Sequence, residues 1–356
     1  MVRLWTGDPS GLAYNAGILR SARMHFRLLR WIALGILLAG GAAAAPTAGD
    51  YVDGEDIAVR EAAIEALGEL NGSVVVVDSD TGRVLTMVNQ KLALADGAIP
   101  CSTIKLVAGL AALSEGLIAP EEKVYFPGNW FMTMTEGLAI SNNVLFDHLG
   151  EKLGFERFAR YARLFGLGEK AGWEIPGEQL GEFPEQEHSY GVGRMTSFGD
   201  GISMTPLQLA AFTAAIANGG KLYYLQHPSS RSAAEKLEPR LKRSLPIASW
   251  TAELEQGMAE AVKRGTGRNA KLVGEQIRGK TGTCSFYQHR RKTRMGWFTS
   301  FARDLRGRNL ATVVMLHGGF VHGPLAADVA GKLYRRLASV EYSEASAAPL
   351  NLCSCD

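Results

Sequence analysis

Residues 277–286 read Ile-Arg-Gly-Lys-Thr-Gly-Thr-Cys-Ser-Phe, and residues 294–301 read Arg-Met-Gly-Trp-Phe-Thr-Ser-Phe. Their β-branched and aromatic residues favour two neighbouring strands late in the chain. Within the first strand, Lys280, Thr281, Gly282 and Thr283 place a cation, two hydroxyls and a glycine in four consecutive positions. This composition indicates a strand edge that binds an anion, although a polar strand end would show the same residues.

Working outward from this pair, further strand candidates lie near both ends of the chain. They are residues 73–78, 83–88 and 311–317, and a turn at 78–82 joins the first two. Residues 57–70 and 325–337 have the apolar spacing of helices, and residues 102–265 are mostly helical in pattern. The sequence therefore predicts an α/β (α+β) fold, with an antiparallel β-sheet flanked by helices and a mostly helical lobe.

Composition limits the kinds of partner. The chain has 356 residues with a formal net charge of +2, and 46% of them are hydrophobic. These values are ordinary for a folded globular protein with one large domain or two modest ones. No strong charge excess points to nucleic acid, and we expect none as a partner. The histidines show no ligand spacing, so we expect no metal and no cofactor.

The N-terminal residues resemble a targeting segment. Arg27 and Arg30 precede residues 31–45, which carry no charge and end in alanines. This is the layout of a secretory signal peptide, with Met24 as a plausible true start. The apolar run is short for a spanning helix, but a retained single membrane anchor is the alternative. Under either interpretation, we expect the remainder of the chain to be periplasmic or otherwise extracytoplasmic.

A serine and a lysine three positions apart follow a helix-breaking proline. Pro100 ends any preceding helix, and Ser102 is a natural N-cap for a helix beginning there. Residues i and i+3 share a helix face, so the Lys105 amine should lie beside the Ser102 hydroxyl. A neutral lysine in that place can act as the base for a serine nucleophile. A capped helix with a surface lysine is the alternative.

A second polar cluster follows about one helix later. Thr133 and Glu136 have capping-box spacing, and the segment that they open leads to Ser141, Asn142 and Asn143. A serine and the next-but-one asparagine at a helix end can pass a proton and hold a substrate amide. A simple helix cap or turn would show the same residues.

Together these three motifs resemble a known family. Ser-x-x-Lys at 102–105, Ser-x-Asn at 141–143 and Lys-Thr-Gly-Thr at 280–283 occur in that order. This is the motif set of the penicillin-recognising serine acyltransferases, and the chain most closely resembles the transpeptidase domain of penicillin-binding proteins. The resemblance covers about residues 72–338 and includes residues 199–210. It implies a β-lactamase/transpeptidase-like fold.

The targeting segment and the resemblance together divide the chain into four parts. Residues 1–45 would be the signal peptide or anchor, and 46–71 a linker with a short helix. Residues 72–340 would be the penicillin-binding transpeptidase domain, and 341–356 a disordered C-terminal tail.

The resemblance also implies a role for each motif residue. Ser102 would be the nucleophile and Lys105 its base, while Ser141 would relay a proton to the leaving amine and Asn143 would orient the substrate peptide. Lys280 would complete the catalytic set and, with Thr281 and Thr283, hold the terminal carboxylate. The backbone N–H groups of Ser102 and Thr283 would form the oxyanion hole. Gly282 would leave room for the acyl group.

Two cysteines depart from the pattern of the family. Cys101 stands where relatives usually have glycine, and Cys284 directly follows Thr283. If the motifs pack as in the family, both thiols lie beside one cleft, where they would form a disulfide, restrict access in a redox-dependent way, or stay free and buried. Cys353 and Cys355 lie in the predicted tail.

The resemblance implies a serine D,D-transpeptidase that acts on peptidoglycan stem peptides ending in D-Ala-D-Ala and is acylated by β-lactams. A D,D-carboxypeptidase or a β-lactamase on the same fold is the alternative, and a β-lactam sensor or wall-binding module is a third. The expected partners are peptidoglycan peptides, with β-lactams as inhibitors. The sequence lacks the Glu-x-x-Leu-Asn pattern that would favour a class A lactamase.

Overall fold

Five strands from the two ends of the chain build the main sheet. The computed structural model describes residues 47, 49–274, 276–288 and 291–347. Within them the strands are β1 (Gly72–Asp78), β2 (Val84–Val88), β3 (Val124–Phe126), β4 (Trp130–Met132), β5 (Lys221–Tyr223), β6 (Leu241–Ser244), β7 (Arg278–Gln288), β8 (Arg291–Arg303) and β9 (Asn309–Gly318). The main sheet has the order β2-β1-β9-β8-β7, and all neighbouring strands are antiparallel.

Helices cover both faces of this sheet. They are α1 (Ile57–Leu67), α2 (Gln90–Ala93), α3 (Lys105–Ser114), α4 (Met134–Ala139), α5 (Asn143–Leu153), α6 (Phe155–Leu164), α7 (Val192–Phe198), α8 (Pro206–Ala217), α9 (Arg231–Glu235), α10 (Thr251–Lys263) and α11 (Gly323–Ala347). Two 3₁₀ helices, η1 (Cys101–Ile104) and η2 (Arg268–Ala270), complete the described elements.

Alternate residues of the central strands enter two different cores. Val75 and Val77 of β1 pack with the helical lobe, whereas Val74 and Val76 pack against α1 and α11. Because successive side chains of a strand point to opposite faces, a run of four valines serves both cores at once. The predicted α+β fold with an antiparallel sheet between helices is confirmed.

The helical lobe contains small sheets that the sequence pattern did not reveal. β3 pairs with β4 and β5 pairs with β6, each as a two-stranded antiparallel sheet inside the stretch predicted to be mostly helical. These strands have only three or four residues. Runs this short show no resolvable two-residue periodicity, so sequence reasoning passes over them.

Two expectations concern residues outside the described part. The predicted signal or anchor segment at 24–45 lies there, as do Cys353 and Cys355. Among the described residues no helix is both long enough and apolar enough to cross a membrane.

The helix α11 extends to Ala347, past the boundary at 340 that was placed from the sequence. The division of the chain into domains stays a prediction.

Candidate active site

Ser102 and Lys105 meet where η1 passes into α3. Residues i and i+3 eclipse each other in a 3₁₀ helix, and Lys105 Nζ lies 2.7 Å from Ser102 Oγ. The expectation that Ser102 caps an α-helix was wrong, because the residue lies inside η1 and Ile104 holds the cap position of α3. The serine hydroxyl is engaged by an amine instead of a backbone N–H, which leaves it beside a base.

The Lys105 amine is buried among acceptors and aromatic rings. It also donates to Asn143 Oδ1 and to the Ser197 carbonyl oxygen, both at 2.7 Å. The rings of Phe146 and Phe198 lie 5.8 and 5.9 Å from Nζ. Burial lowers the pKa of Lys105 to about 7, because desolvation disfavours the charged ammonium. Much of the lysine is therefore neutral near neutral pH.

The turn between α4 and α5 presents Ser141 and Asn143. The predicted capping box of Thr133 and Glu136 is present at the start of α4. Ser141 follows α4 with φ 56°, in the left-handed region. Asn142 then caps α5, because its side chain accepts from a backbone N–H of the first turn. The middle residue of the motif thus builds the helix end that positions the two outer ones.

Lys280 extends from β7 to this turn. Its Nζ donates to Ser141 Oγ at 2.7 Å and to the Thr281 carbonyl oxygen at 2.9 Å. The side chain is fully buried, and burial first, then the neighbouring charge of Lys105, hold the pKa of Lys280 well below its usual range. The structure thus brings the Ser-x-Asn turn into contact with both lysines.

The remaining residues of the Lys-Thr-Gly-Thr run occupy the edge strand of the main sheet. The Oγ1 atoms of Thr281 and Thr266 are 2.6 Å apart, and the exposed Thr283 accepts from the Gly323 backbone N–H at 2.8 Å. A Cβ at Gly282 would lie 3.0 Å from the Pro100 carbonyl oxygen. A side chain there would push β7 away from η1, so glycine allows their close approach.

A disulfide joins the two cysteines that depart from the family pattern. Cys101 and Cys284 are bonded, with their Cα atoms 5.6 Å apart. Cys101 is buried and has φ 51°, a left-handed conformation that favours glycine. Of the three alternatives left open by the sequence, the structure has the disulfide, and it lies directly beside Ser102.

Some contributors to the site carry no motif of their own. Ser197 acts through its backbone carbonyl, Thr266 through its contact with Thr281, and Gly323 through its N–H. Sequence reasoning missed all three. Only Ser197 had a nearby signal, since the family-like run at 199–210 begins two residues later, whereas contacts made by backbone atoms leave no mark on residue type.

The described residues hold no cluster of three or more His, Cys, Asp or Glu side chains able to bind a metal ion. What the arrangement offers is a hydroxyl 2.7 Å from a buried amine of lowered pKa. The buried amine of Lys280 and the hydroxyls of Thr281 and Thr283 lie on the adjacent strand, β7. An amine of this kind can take a proton from a serine as it attacks an acyl carbon.

The sequence and the fold are similar to those of known proteins. The model of the family described as penicillin binding protein transpeptidase domain matches residues 72–335. Stage V sporulation protein D of Bacillus subtilis (strain 168) is 31% identical over 209 residues, covering 52% of this chain and 32% of that protein. Peptidoglycan D,D-transpeptidase MrdA of Haemophilus influenzae is 25% identical over 342 residues, covering 74% of this chain and 52% of that protein.

Among solved structures, the TP domain of Burkholderia pseudomallei penicillin-binding protein 3 has a similar fold. The TM-score is 0.65 at 21% identity, over 83% of this chain and 94% of that one. An antiparallel sheet with a helical lobe and a serine–lysine pair defines the class of β-lactamase/transpeptidase-like proteins. Within it, this chain belongs to the penicillin-binding protein transpeptidase domain family. The resemblance drawn from the motifs is confirmed, and the chain spans 32% and 52% of the lengths of the two curated relatives named above.

Proposed function

We propose that this chain is a serine D,D-transpeptidase that acts on peptidoglycan stem peptides ending in D-Ala-D-Ala and forms an acyl-enzyme with them and with β-lactams. One observation carries the proposal: Lys105 Nζ lies 2.7 Å from Ser102 Oγ, with a pKa lowered to about 7. A lysine of ordinary pKa, about 10.4, would be protonated at neutral pH and would not accept the serine proton.

Acylation begins with the transfer of the Ser102 hydroxyl proton. Neutral Lys105 takes the hydroxyl proton while Ser102 Oγ bonds to the carbonyl carbon of the penultimate D-Ala. The carbonyl π electrons move onto oxygen, and the backbone N–H groups of Ser102 and Thr283 stabilise the resulting oxyanion. When the carbonyl re-forms, the C–N bond breaks and the terminal D-Ala departs as an amine, leaving an ester on Ser102.

The leaving amine needs a proton and the substrate needs a fixed orientation. Ser141 Oγ, which accepts from Lys280 at 2.7 Å, is placed to hand a proton to the amine. Asn143 engages Lys105 through Oδ1, so its amide N–H₂ stays available to a substrate carbonyl. In transfer, the amine of a second stem peptide attacks the ester and displaces Ser102.

The terminal carboxylate of the substrate would bind at β7. Lys280, the hydroxyls of the buried Thr281 and the exposed Thr283, and the strand edge offer donors in one place. Burial and the charge of Lys105 lower the pKa of Lys280 in the free protein. An arriving carboxylate acts in the opposite direction, since an opposite charge favours the ammonium. A bound carboxylate should therefore raise the pKa of Lys280 toward its usual range.

The proposed substrate indicates where in the cell the protein acts. Peptidoglycan stem peptides are extracytoplasmic, which agrees with the signal or single membrane anchor expected at residues 1–45. We propose peptidoglycan peptides as the partner and β-lactams as inhibitors, with no nucleic acid. MrdA of Haemophilus influenzae, 25% identical to this chain, is named a peptidoglycan D,D-transpeptidase, which supports the same assignment.

The reaction is tested with a stem pentapeptide ending in D-Ala-D-Ala and a second peptide that supplies the acceptor amine. Released D-Ala is quantified, and the peptide products are separated by mass spectrometry. We expect a cross-linked dimer and one equivalent of D-Ala for each bond formed. Ser102→Ala should give neither product, and it is the matched control because it removes one oxygen atom.

Other outcomes identify the alternatives. Release of D-Ala with only a shortened tetrapeptide would show a D,D-carboxypeptidase. Rapid turnover of a chromogenic cephalosporin would show a β-lactamase. Failure to release D-Ala together with failure to be acylated by penicillin would contradict an acyl-transfer function and favour a binding module.

A further inference from the structure

The disulfide joins the two residues adjacent to the proposed oxyanion hole. Cys101 directly precedes Ser102, Cys284 directly follows Thr283, and 183 residues of sequence separate the two cysteines. We propose that Cys101 and Cys284 are positioning residues, whose bond fixes the spacing between the Ser102 and Thr283 backbone N–H groups and so sets the rate of acylation. This inference rests on the proposed function of the site.

The strand that carries Thr283 needs a restraint from outside the sheet to fix its position. β7 is an edge strand of the main sheet, hydrogen-bonded to β8 along one side only. Alternate N–H groups of an antiparallel edge strand point away from its neighbour. A backbone N–H group on that open side has no neighbouring strand to hold it in place, so a restraint must come from another element. The 3₁₀ helix η1 contacts β7 and can supply that restraint.

Non-covalent contacts restrain one side of Thr283. Gly282 packs so closely on η1 that an added Cβ would lie 3.0 Å from the Pro100 carbonyl oxygen. Trp297, the β8 partner of Gly282, donates its indole N–H to the Ile99 carbonyl oxygen at 3.0 Å. The disulfide restrains the other side, at Cys284. Thr283 is therefore held between a packed glycine and a covalent bond.

The Ser102 side of the hole depends on the same bond. Cys101 has φ 51°, a left-handed conformation that is uncommon for residues other than glycine. Its Cα lies 5.6 Å from that of Cys284, so the bond draws the residue before the serine toward the strand. Any change in this spacing moves the Ser102 N–H relative to that of Thr283.

The bond is open to chemical reduction from one side. Cys101 is buried, whereas Cys284 is half-buried. A phosphine reductant adds two electrons, and with two protons the bond becomes two thiols. The covalent distance between the two residues is then released, while the contacts of Gly282 and Trp297 stay. The two redox states of one chain thus isolate the contribution of the bond.

The test measures acylation by a fluorescent penicillin and separates the binding constant from the first-order acylation rate. All proteins carry Cys353→Ser and Cys355→Ser, so that only this disulfide responds to the phosphine. We expect reduction to lower the acylation rate at least tenfold, because small displacements of a reacting group or an oxyanion donor cost about 10²-fold. The penicillin binding constant should change less than threefold, and reoxidation should restore the rate.

Two variants complete the test. Cys101→Gly with Cys284→Ser places glycine at the left-handed position, and it should acylate slowly with or without the phosphine. Leu333→Ala is the control for lost stability, because Leu333 is buried in the core on the other face of the sheet. It should lower the melting temperature while its acylation rate stays that of the oxidised chain.

The results that contradict the inference are distinct. Acylation rates within twofold for oxidised, reduced and double-variant proteins would overturn it and leave the proposed function intact. An equal loss of rate in Leu333→Ala would also overturn it, since global loosening would then explain the effect. Absence of acylation at Ser102 in the oxidised chain would overturn the proposed function and this inference together.

Discussion

At the scale of single residues, the proposed chemistry depends most on Lys105. Three acceptors lie 2.7 Å from its amine, and its side chain is fully buried. Burial lowers its pKa to about 7. The neutral form is the base, so the fraction of active protein should rise with pH through that value.

The first prediction is therefore a pH profile. The acylation rate with a fluorescent penicillin should fall about tenfold for each unit below pH 7 and level off above it, because only neutral Lys105 accepts the serine proton. Lys105→Arg should abolish acylation across the range, since arginine stays protonated in proteins. Rates measured from pH 5 to 9 that stay constant would contradict the role of Lys105.

Residue type revealed the motif residues of this site, but not Ser197, Thr266 and Gly323 or all of the contacts among its members. The three-residue spacing of Ser102 and Lys105 indicated that their side chains share a helix face, but a capped helix with a surface lysine stayed the alternative until the three motifs were taken together. The contact of Lys280 with Ser141 joins residues 139 positions apart. It follows from the packing of α10 against both β7 and α4, which only the family resemblance implied, by placing the three motifs in one site.

At the scale of elements, the cap of α5 links helix stability to the site. The Asn142 side chain accepts from the Leu145 N–H at 2.9 Å, and the next residue is Asn143, which contacts Lys105. Asn142→Ala should lower the free energy of unfolding by about 1 kcal/mol, the usual effect of losing an N-cap. It should also slow acylation, because the first turn of α5 carries Asn143.

A remote cap provides the control for this second prediction. Ser230 caps the short helix α9 with a hydrogen bond of 3.1 Å to the Ala233 N–H. Ser230→Ala should cost a similar or smaller free energy, measured by urea unfolding, with no change in acylation. Equal acylation rates in the two variants would show that the α5 cap does not position the site.

A buried carboxylate ties the segment before α1 to β2. Glu55 accepts from Thr86 Oγ1 at 2.6 Å, from the Met87 N–H at 2.9 Å and from Arg60 at 2.8 Å, and it lies 3.1 Å from His227 Nε2. Burial alone would raise the pKa of Glu55. Hydrogen bonds from His227, Thr86, Arg60 and Met87 outweigh burial and hold this pKa below its usual range.

The third prediction follows from that network. Glu55→Gln should lower the free energy of unfolding by about 3 kcal/mol, since it leaves buried partners without the charge that they engage. A lowered folded-state pKa stabilises the protein above the unfolded value, about 4.3, and this stabilisation is lost as pH falls through the folded value. The difference in melting temperature from wild type should therefore shrink below pH 4. A constant difference from pH 3 to 7 would contradict this explanation.

At the scale of the whole molecule, the disulfide spans half of the chain. Cys101 and Cys284 are 183 residues apart in sequence, so their bond strongly restricts the unfolded ensemble. Reduction should lower the free energy of unfolding by about 3–5 kcal/mol. Urea unfolding of the chain with and without a phosphine measures this fourth prediction, and a change below about 1 kcal/mol would contradict it.

The overall architecture was largely predictable, for physical reasons. Each of the five strands of the main sheet was located from its pattern, and three of the four neighbouring pairs (β1–β2, β7–β8 and β8–β9) join strands that follow one another in the chain. The pairs β3–β4 and β5–β6 were missed because tertiary packing, not local periodicity, forms strands this short. The sequence left open whether Cys101 and Cys284 form a disulfide, because the bond depends on how η1 packs against β7.

The most direct test of the central claim is the site of covalent acylation. The oxidised chain is incubated with benzylpenicillin and digested, and its peptides are mapped by mass spectrometry. The account predicts one penicilloyl group for each chain, attached to Ser102 and absent in Ser102→Ala. An unlabelled wild-type chain, or a label that persists in Ser102→Ala, would contradict it.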